Sequence, residues 1–296
     1  MCFELHVMNW VSREFERFMA KKIDLKTALL NARDAKQAIL ATNFYNMETL
    51  KGIALAASEM GYPVILQLTK GSIEYMGLQT AVALARSAID AFGLQAWLHL
   101  DHGDSVDLVR RCLDAGFDSV MIDASERPLA ENIAITREVV KLAAAYGATV
   151  EAELGYIPKL GQEKTEAGFT RPEDAQRFVS ETGVDALAVA VGSAHGFYKK
   201  EPHLDIALLN VIRSVVKIPL VLHGASGIPD EQIRSAIDTG ICKVNVATEI
   251  KNAFVQNIKR AMQRNNEIDL RKIFPKGIEA VHKLVREKLA LVTKAN

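Results

Sequence analysis

Leu98-His99-Leu100-Asp101-His102-Gly103 decides how the rest of the chain is read. The apolar run from Ala96 to Leu100 has the character of a buried strand. It leaves the core through a carboxylate, an imidazole and a glycine. Apolar residues carry a strand through a core, whereas an Asp and a His at its exit cost desolvation and need a purpose. A metal ligand beside a proton donor is one such purpose. A polar loop start with a hydrogen-bonded His is another. Two further histidines at the same point of later units favour the first.

The unit around this stretch recurs: a short β-rich run, a polar or glycine-containing exit, then an amphipathic helix. The runs span 37–42, 63–68, 96–100, 119–122, 148–152, 186–191, 218–222 and 242–246. Helices are expected over roughly 47–60, 78–92, 105–115, 130–146, 229–239, 249–264 and 275–291, with another opening at Arg171-Pro172-Glu173-Asp174. Ser105 suits an N-cap. Eight such units with near-continuous apolar strands predict an α/β fold, a parallel (β/α)8 TIM barrel. A doubly wound sheet would want G-x-G-x-x-G after its first strand, and Asn43-Phe44-Tyr45-Asn46 stands there instead. No linker or low-complexity tract interrupts the chain, so one domain over 1–296 is expected. Within 1–22, Val7, Val11, Phe15, Phe18 and Lys22 fall at helical spacing. They suggest an extra helix that plugs one end of the domain or serves an oligomer contact. Further helices close the C-terminus.

Lys+Arg and Asp+Glu both number 36, so there is no global basic field for nucleic acid or membrane. No apolar run approaches membrane-spanning length. The three cysteines, Cys2, Cys112 and Cys242, form no CxxC pair, which suits a cytoplasmic protein without a disulfide framework.

In a parallel barrel every strand exit opens on one face, where active sites lie. That face collects Asp101, His102, Asp123, Glu153, His195 and His223. His102, His195 and His223 each end a strand next to a glycine, and three imidazoles with an open position mark a catalytic zinc site. His99 lies inside its strand and reads as a hydrogen-bonded core residue; His6, His203 and His282 read as surface residues. The exits His223-Gly224-Ala225-Ser226-Gly227 and Asn245-Val246-Ala247-Thr248 offer backbone N–H groups and a helix N-terminus to an anion. They follow strands seven and eight, the usual phosphate site of this fold. Metal and phosphate sites together indicate Lewis-acid chemistry on a sugar phosphate.

These motifs, with Thr42-Asn43-Phe44-Tyr45-Asn46, Met121-Ile122-Asp123-Ala124-Ser125 and Val150-Glu151-Ala152-Glu153-Leu154-Gly155, resemble the class II, metal-dependent ketose-bisphosphate aldolases. The group includes fructose- and tagatose-bisphosphate aldolases, and the likeness covers roughly 25–290. The resemblance implies reversible aldol cleavage of a ketose phosphate to dihydroxyacetone phosphate and an aldehyde. It implies that His102, His195 and His223 hold Zn2+ or another divalent metal, which polarises the ketose carbonyl. Asp123 and Glu153 match positions that hold the metal in another pose or orient its ligands. Asp101 exchanges a proton with the aldehyde oxygen. By the same resemblance Gly224, Ser226, Asn245, Ala247 and Thr248 would bind phosphate, often with Na+ or K+. Gly196 and Asn43 join the substrate contacts. A loop glutamate after strand five moves the carbon-bound proton; Glu163 is the first choice and Glu166 the second. Ser72 and Arg271 are the candidates for a distal phosphate. A homodimer or homotetramer is implied.

Two positions depart from the family pattern. Glu126 stands where many members have His, and Ile278 where fructose-bisphosphate members often have Arg. A substrate lacking the distal phosphate therefore stays open. A metal-dependent hydrolase, a non-catalytic binding module and a Schiff-base aldolase are the other readings; the last needs a strand lysine, and Lys243 is the candidate.

Overall fold

The computed structural model describes residues 23–157, 168–196, 198, 202–264 and 267–294. Eight parallel strands pair in chain order and close on themselves, the first against the last. They are β1 (Ile39–Asn43), β2 (Val64–Thr69), β3 (Ala96–Gly103), β4 (Ser119–Ile122), β5 (Thr149–Leu154), β6 (Ala186–Val189), β7 (Leu220–Leu222) and β8 (Ile241–Val246). The ring of connecting helices is α2 (Met47–Met60), α3 (Lys70–Met76), α4 (Leu78–Ala91), α5 (Val106–Asp114), α6 (Leu129–Ala144), α7 (Pro172–Thr182), α8 (Ile206–Val215), α9 (Asp230–Thr239) and α10 (Thr248–Arg264). A further helix, α1 (Leu25–Asp34), precedes β1, while α11 (Leu270–Ile273) and α12 (Pro275–Thr293) follow α10. This is the expected TIM barrel.

Local chemistry starts and stops the helices, with Ser105 the cap that was anticipated. Ser105 Oγ accepts from Leu108 N at 3.3 Å and caps α5. Asn46 and Thr49 form a reciprocal capping box on α2, and Gly61 ends that helix in the left-handed region. Three helices, α1, α3 and α8, were not expected. The exit Thr69-Lys70-Gly71-Ser72 itself coils into α3, capped by Thr69. Its seven residues are too few to show a helical period.

Side chains alternate across each strand. Leu98, Leu100, Val120, Ile122, Val150, Ala152, Val244 and Val246 face outward into one large apolar layer under the helices. Inside the barrel the character changes along the axis. Its lower end holds an apolar cluster of Ile39, Ala41, Ile65, Trp97, Ala188 and Val221, sealed by Leu25, Ala28 and Leu29 of α1. Trp97 Nε1 donates to the Ile23 carbonyl at 3.0 Å, fixing the plug. The expected helix within 1–22 lies outside the described residues; the plug seen is α1. Only Leu25, Ala28 and Leu29 of its ten residues are buried, too short a stripe to stand out.

At the upper end the inward positions are polar: Asn43, Gln67, His99, Asp101, Ser119, Glu151, Glu153, Lys243 and Asn245, all buried. Among the described residues no helix is long and apolar enough to cross a membrane.

Leu29 is 1% exposed and sits at the end opposite to Asp101. Leu29→Ala should destabilise the fold by about 2–5 kcal/mol through lost burial and a residual cavity. Chemical denaturation measures the loss, while turnover per folded molecule should stay unchanged.

Candidate active site

Strict alternation in β3 would point Trp97, His99 and Asp101 inward and turn His102 out into the apolar layer. A bulge prevents this. The β3–β4 register runs His99↔Ser119, Leu100↔Val120, then Gly103↔Ile122. Three steps on β3 match two on β4, so one residue is extra. His102 takes the left-handed conformation, φ 49°, at a cost of ~1–2 kcal/mol for a non-glycine residue. The adjacent side chains of Asp101 and His102 consequently reach the same mouth. Gly103 makes room for the bend: a Cβ there would lie 2.5 Å from the Met121 carbonyl oxygen.

His102 joins His195 and His223. The ring centroids of His102 lie 4.8 Å from each of the other two, which are 6.0 Å apart. One donor atom from each of His102, Glu153, His195 and His223 lies within 4.8 Å of the others. Nitrogen and carboxylate donors at this spacing fit a divalent cation of the zinc type. The remaining ring nitrogens also fit. His102 Nδ1 is 2.7 Å from Asp123 Oδ2, and His223 Nε2 is 2.8 Å from Glu151 Oε1. Carboxylates behind ligating imidazoles orient them and raise their basicity. Asp123 is thus placed as a partner of His102, outside the donor group, whereas Glu153 is inside it.

Electrostatics follow this layout. Burial opposes charge on His223, yet its hydrogen bonds to Glu151 and Glu153 push it up to about 10. Burial likewise opposes charge on His102, but Asp101 and Asp123 outweigh it and raise its pKa. His195 is pushed down to about 3 by burial and by the charges of His102 and His223. Burial would raise Asp101, but the charges of His102, His223 and Lys243 hold it below the usual carboxylate range. Asp101 accepts from Asn43 Nδ2 at 2.9 Å and Asn245 Nδ2 at 3.4 Å, so its carboxylate is held in place.

A cleft of about 380 Å³ opens over these groups. Asp101, His102, His195, Gly196, Gly224, Ser226, Asn245, Ala247 and Thr248 all line it. Thr248 begins α10, so the rim ends on a helix N-terminus. Gly224 has φ 66° and lies against the Ala194 carbonyl, which leaves no room for a side chain. Tyr198 Oη ties the same two loops: it accepts from Ala194 N at 2.6 Å and donates to the Gly224 carbonyl at 2.9 Å.

Other expected residues lie elsewhere. Asn43 is buried beneath the cleft, acting on Asp101. Ser72 is buried and within 3.1 Å of Thr69 Oγ1. Arg271 is exposed and paired with Asp269 at 3.0 Å, not a lining residue. Glu163 and Glu166 fall outside the described residues. His99 is a core residue, as expected, and His203 is exposed. Lys243 is fully buried, 2.7 Å from Glu151 and away from the cleft lining. A Schiff-base nucleophile needs a free amine, so Lys243 does not suit that role. Lys70 and Lys251, not singled out from sequence, line the cleft. So do Thr69 and Gly71.

Gly103→Ala forces the new methyl against the Met121 backbone and disturbs the bulge that aims His102. Strain of ~1–3 kcal/mol at such a site should weaken metal retention by about 10-fold or more. Metal content after dialysis against a weak chelator checks it; full retention at wild-type affinity counts against the bulge as the aiming device.

Comparisons with known proteins agree with this geometry. The family model described as fructose-bisphosphate aldolase class-II matches residues 23–296. The chain is 41% identical over 271 residues to the D-tagatose-1,6-bisphosphate aldolase subunit GatY of Klebsiella oxytoca, covering 90% of this chain and 95% of that one. The crystal structure of the YdjI aldolase from Escherichia coli K12 superposes with a TM-score of 0.82 at 32% identity, covering 91% of this chain and 96% of that one. Fructose-bisphosphate aldolase from Campylobacter jejuni shares the fold, with a TM-score of 0.78 at 22% identity over 92% of this chain and 97% of that one. The chain belongs to the class II fructose-bisphosphate aldolase family and is a metal-dependent carbon–carbon lyase.

Proposed function

We propose that the enzyme cleaves a ketose 1,6-bisphosphate of the tagatose or fructose type, or a ketose 1-phosphate, to dihydroxyacetone phosphate and an aldehyde. One observation carries this reading. Two imidazoles, a carboxylate held by two amides, and a rim of small residues at a helix N-terminus share a single cleft, and the third imidazole, His223, is buried beside them within the same donor group. The family kinship and the tagatose-bisphosphate name of a relative support the substrate class.

His102, His195 and His223 would hold the divalent ion, zinc by donor chemistry, with Glu153 as an alternative donor. The bound ion supplies Lewis-acid polarisation of the ketose carbonyl. The remaining work falls to side chains and backbone. Gly224, Ser226, Asn245, Ala247 and Thr248 anchor the phosphate next to that carbonyl, with Gly196 closing the rim and Na+ or K+ as an aid. In cleavage, the Asp101 carboxylate accepts the hydroxyl proton as the carbon–carbon bond breaks; in condensation it returns that proton to the aldehyde oxygen. Asn43 and Asn245 keep it aimed. Glu163 moves the proton at the donor carbon.

A substrate without the distal phosphate is favoured by one observation. Arg271 is engaged by Asp269, and Ile278 stands where an arginine would extend the site. Exposed Val255, Met262, Ile268 and Leu270 on and beside α10 and α11 support a homo-oligomer, a dimer or tetramer. The free buried thiols of Cys112 and Cys242 suit the cytoplasm.

Chelation by EDTA should abolish turnover, and Zn2+ should restore it, in an assay that reduces released dihydroxyacetone phosphate with a coupled dehydrogenase. A panel of ketose 1-phosphates and 1,6-bisphosphates ranks the substrates. Asp101→Ala should keep its metal and lose about 10²–10⁴-fold in turnover, the range for a positioned proton-transfer group. Turnover near wild type rules that role out. Separately, Glu163→Ala should slow proton exchange at the donor carbon of dihydroxyacetone phosphate. A loss seen only in Glu166→Ala moves the role to that residue.

A further inference from the structure

From the metal donor His223 a chain of buried polar groups runs into the barrel interior, and beyond His223 the reaction does not touch it. His223 is fully buried between two carboxylates: Nδ1 is 2.8 Å from Glu153 Oε2, and Nε2 is 2.8 Å from Glu151 Oε1. Glu153 belongs to the donor group and Glu151 does not. The Nδ1 edge therefore faces the metal donors, and the Nε2 edge faces the barrel interior. The second oxygen of Glu151 accepts from Lys243 Nζ at 2.7 Å. Lys243 also lies 3.4 Å from His99 Nε2. An ammonium only donates, so His99 Nε2 accepts and His99 Nδ1 donates to Ser119 Oγ at 2.7 Å. Five side chains from β3, β4, β5, β7's exit and β8 thus form one connected series.

We infer that Glu151 is a positioning residue for the metal centre: it keeps His223 protonated on Nε2, so that Nδ1 is the atom offered to the divalent cation, and Lys243 holds Glu151 to that task. The inference rests on His102, His195 and His223 being the metal ligands. Three observations carry it further. Glu151 and Glu153 stand two apart on one face of β5, yet only Glu151 is tethered by a buried ammonium, so it cannot swing up to become a donor itself. His102 is fixed the other way round, with Asp123 on Nδ1 and Nε2 left for the cation. The two ligands are locked in opposite tautomers by carboxylates on different strands. Finally, a buried ion pair is weak as a source of stability, because well-packed apolar residues often serve as well. An ionic layer in this place calls for a role beyond holding the barrel together.

The test begins with zinc-loaded wild-type protein, stripped and titrated with Zn2+ against a chromophoric chelator, and with Co2+ for its visible bands. Glu151→Gln should weaken Zn2+ binding by about 10–100-fold, as loss of a carboxylate behind a ligating His does, and should shift the Co2+ bands. Glu151→Gln/Lys243→Met leaves no unpaired buried charge and should show the same loss, so it serves if the single variant folds poorly. A zinc-loaded crystal structure of the wild-type chain should show His223 coordinating through Nδ1. Coordination through Nε2 overturns the inference whatever the variants do. So does wild-type Zn2+ affinity with unchanged Co2+ bands in Glu151→Gln. A wild-type chain that binds no Zn2+ at His102, His195 and His223 instead overturns the metal-site reading on which this one stands.

Discussion

Glu151 holds two buried partners at once, Lys243 on one oxygen and His223 on the other. Taking a charge out of water costs several kcal/mol per ion even after relaxation. That cost is offset only where each donor and acceptor meets a partner at good geometry, and here the distances are 2.7 and 2.8 Å. The upper interior of the barrel is therefore a coupled layer. Asn43 and Asn245 serve Asp101, Glu153 serves His223, and His99 takes the remaining reach of Lys243. Burial and the Lys243 charge push His99 down to about 3, so it joins as a neutral acceptor and adds no further charge.

The barrel separates stability from chemistry along its axis. The lower interior is apolar and sealed by α1, while the outer layer packs under helices. Those contacts are non-directional and tolerate modest change. The upper interior depends on direction. A parallel barrel brings all strand exits to one end, so residues distant in the chain can act together there. His102 and His223 are 121 positions apart (223 − 102), yet their rings approach to 4.8 Å. The mouth inherits its rigidity from strands, and Tyr198 extends that rigidity to the loops after β6 and β7.

Much of this was legible from the chain. Short apolar runs followed by an amphipathic helix located the strands, with β4 matching over Ser119–Ile122. The three histidines were legible because each stands at a strand exit beside glycine. Other parts were hidden for physical reasons. The bulge in β3 is a register relation between two strands, and no single run of residues displays it. Glu153 was expected at an exit, but β5 continues through it to Leu154 because the inward side of that strand is polar rather than apolar. Glu151 stood only inside a family motif and Lys243 only as a Schiff-base candidate, since partners 92 positions apart are invisible before the barrel closes. Their i, i+2 spacing with Glu153 and Asn245 was the available signal, for it places each pair on one strand face.

The strand positions of His102 and His223 explain why the first needs a bulge on β3 and the second needs none on β7. Val221 faces the barrel interior and Leu222 the outer layer, so alternation alone already turns His223 inward. β3 must instead present two neighbouring side chains, Asp101 for the proton and His102 for the metal. Alternation forbids two neighbours from sharing a face, and one inserted residue with a left-handed φ is the smallest change that lifts the restriction. Gly103 then has to be glycine because the bent strand comes back against Met121. The pairing of Asp101 with His102 at one mouth thus traces to an extra residue in β3, while β8 carries a register shift of its own against β7 ahead of Lys243 and Asn245.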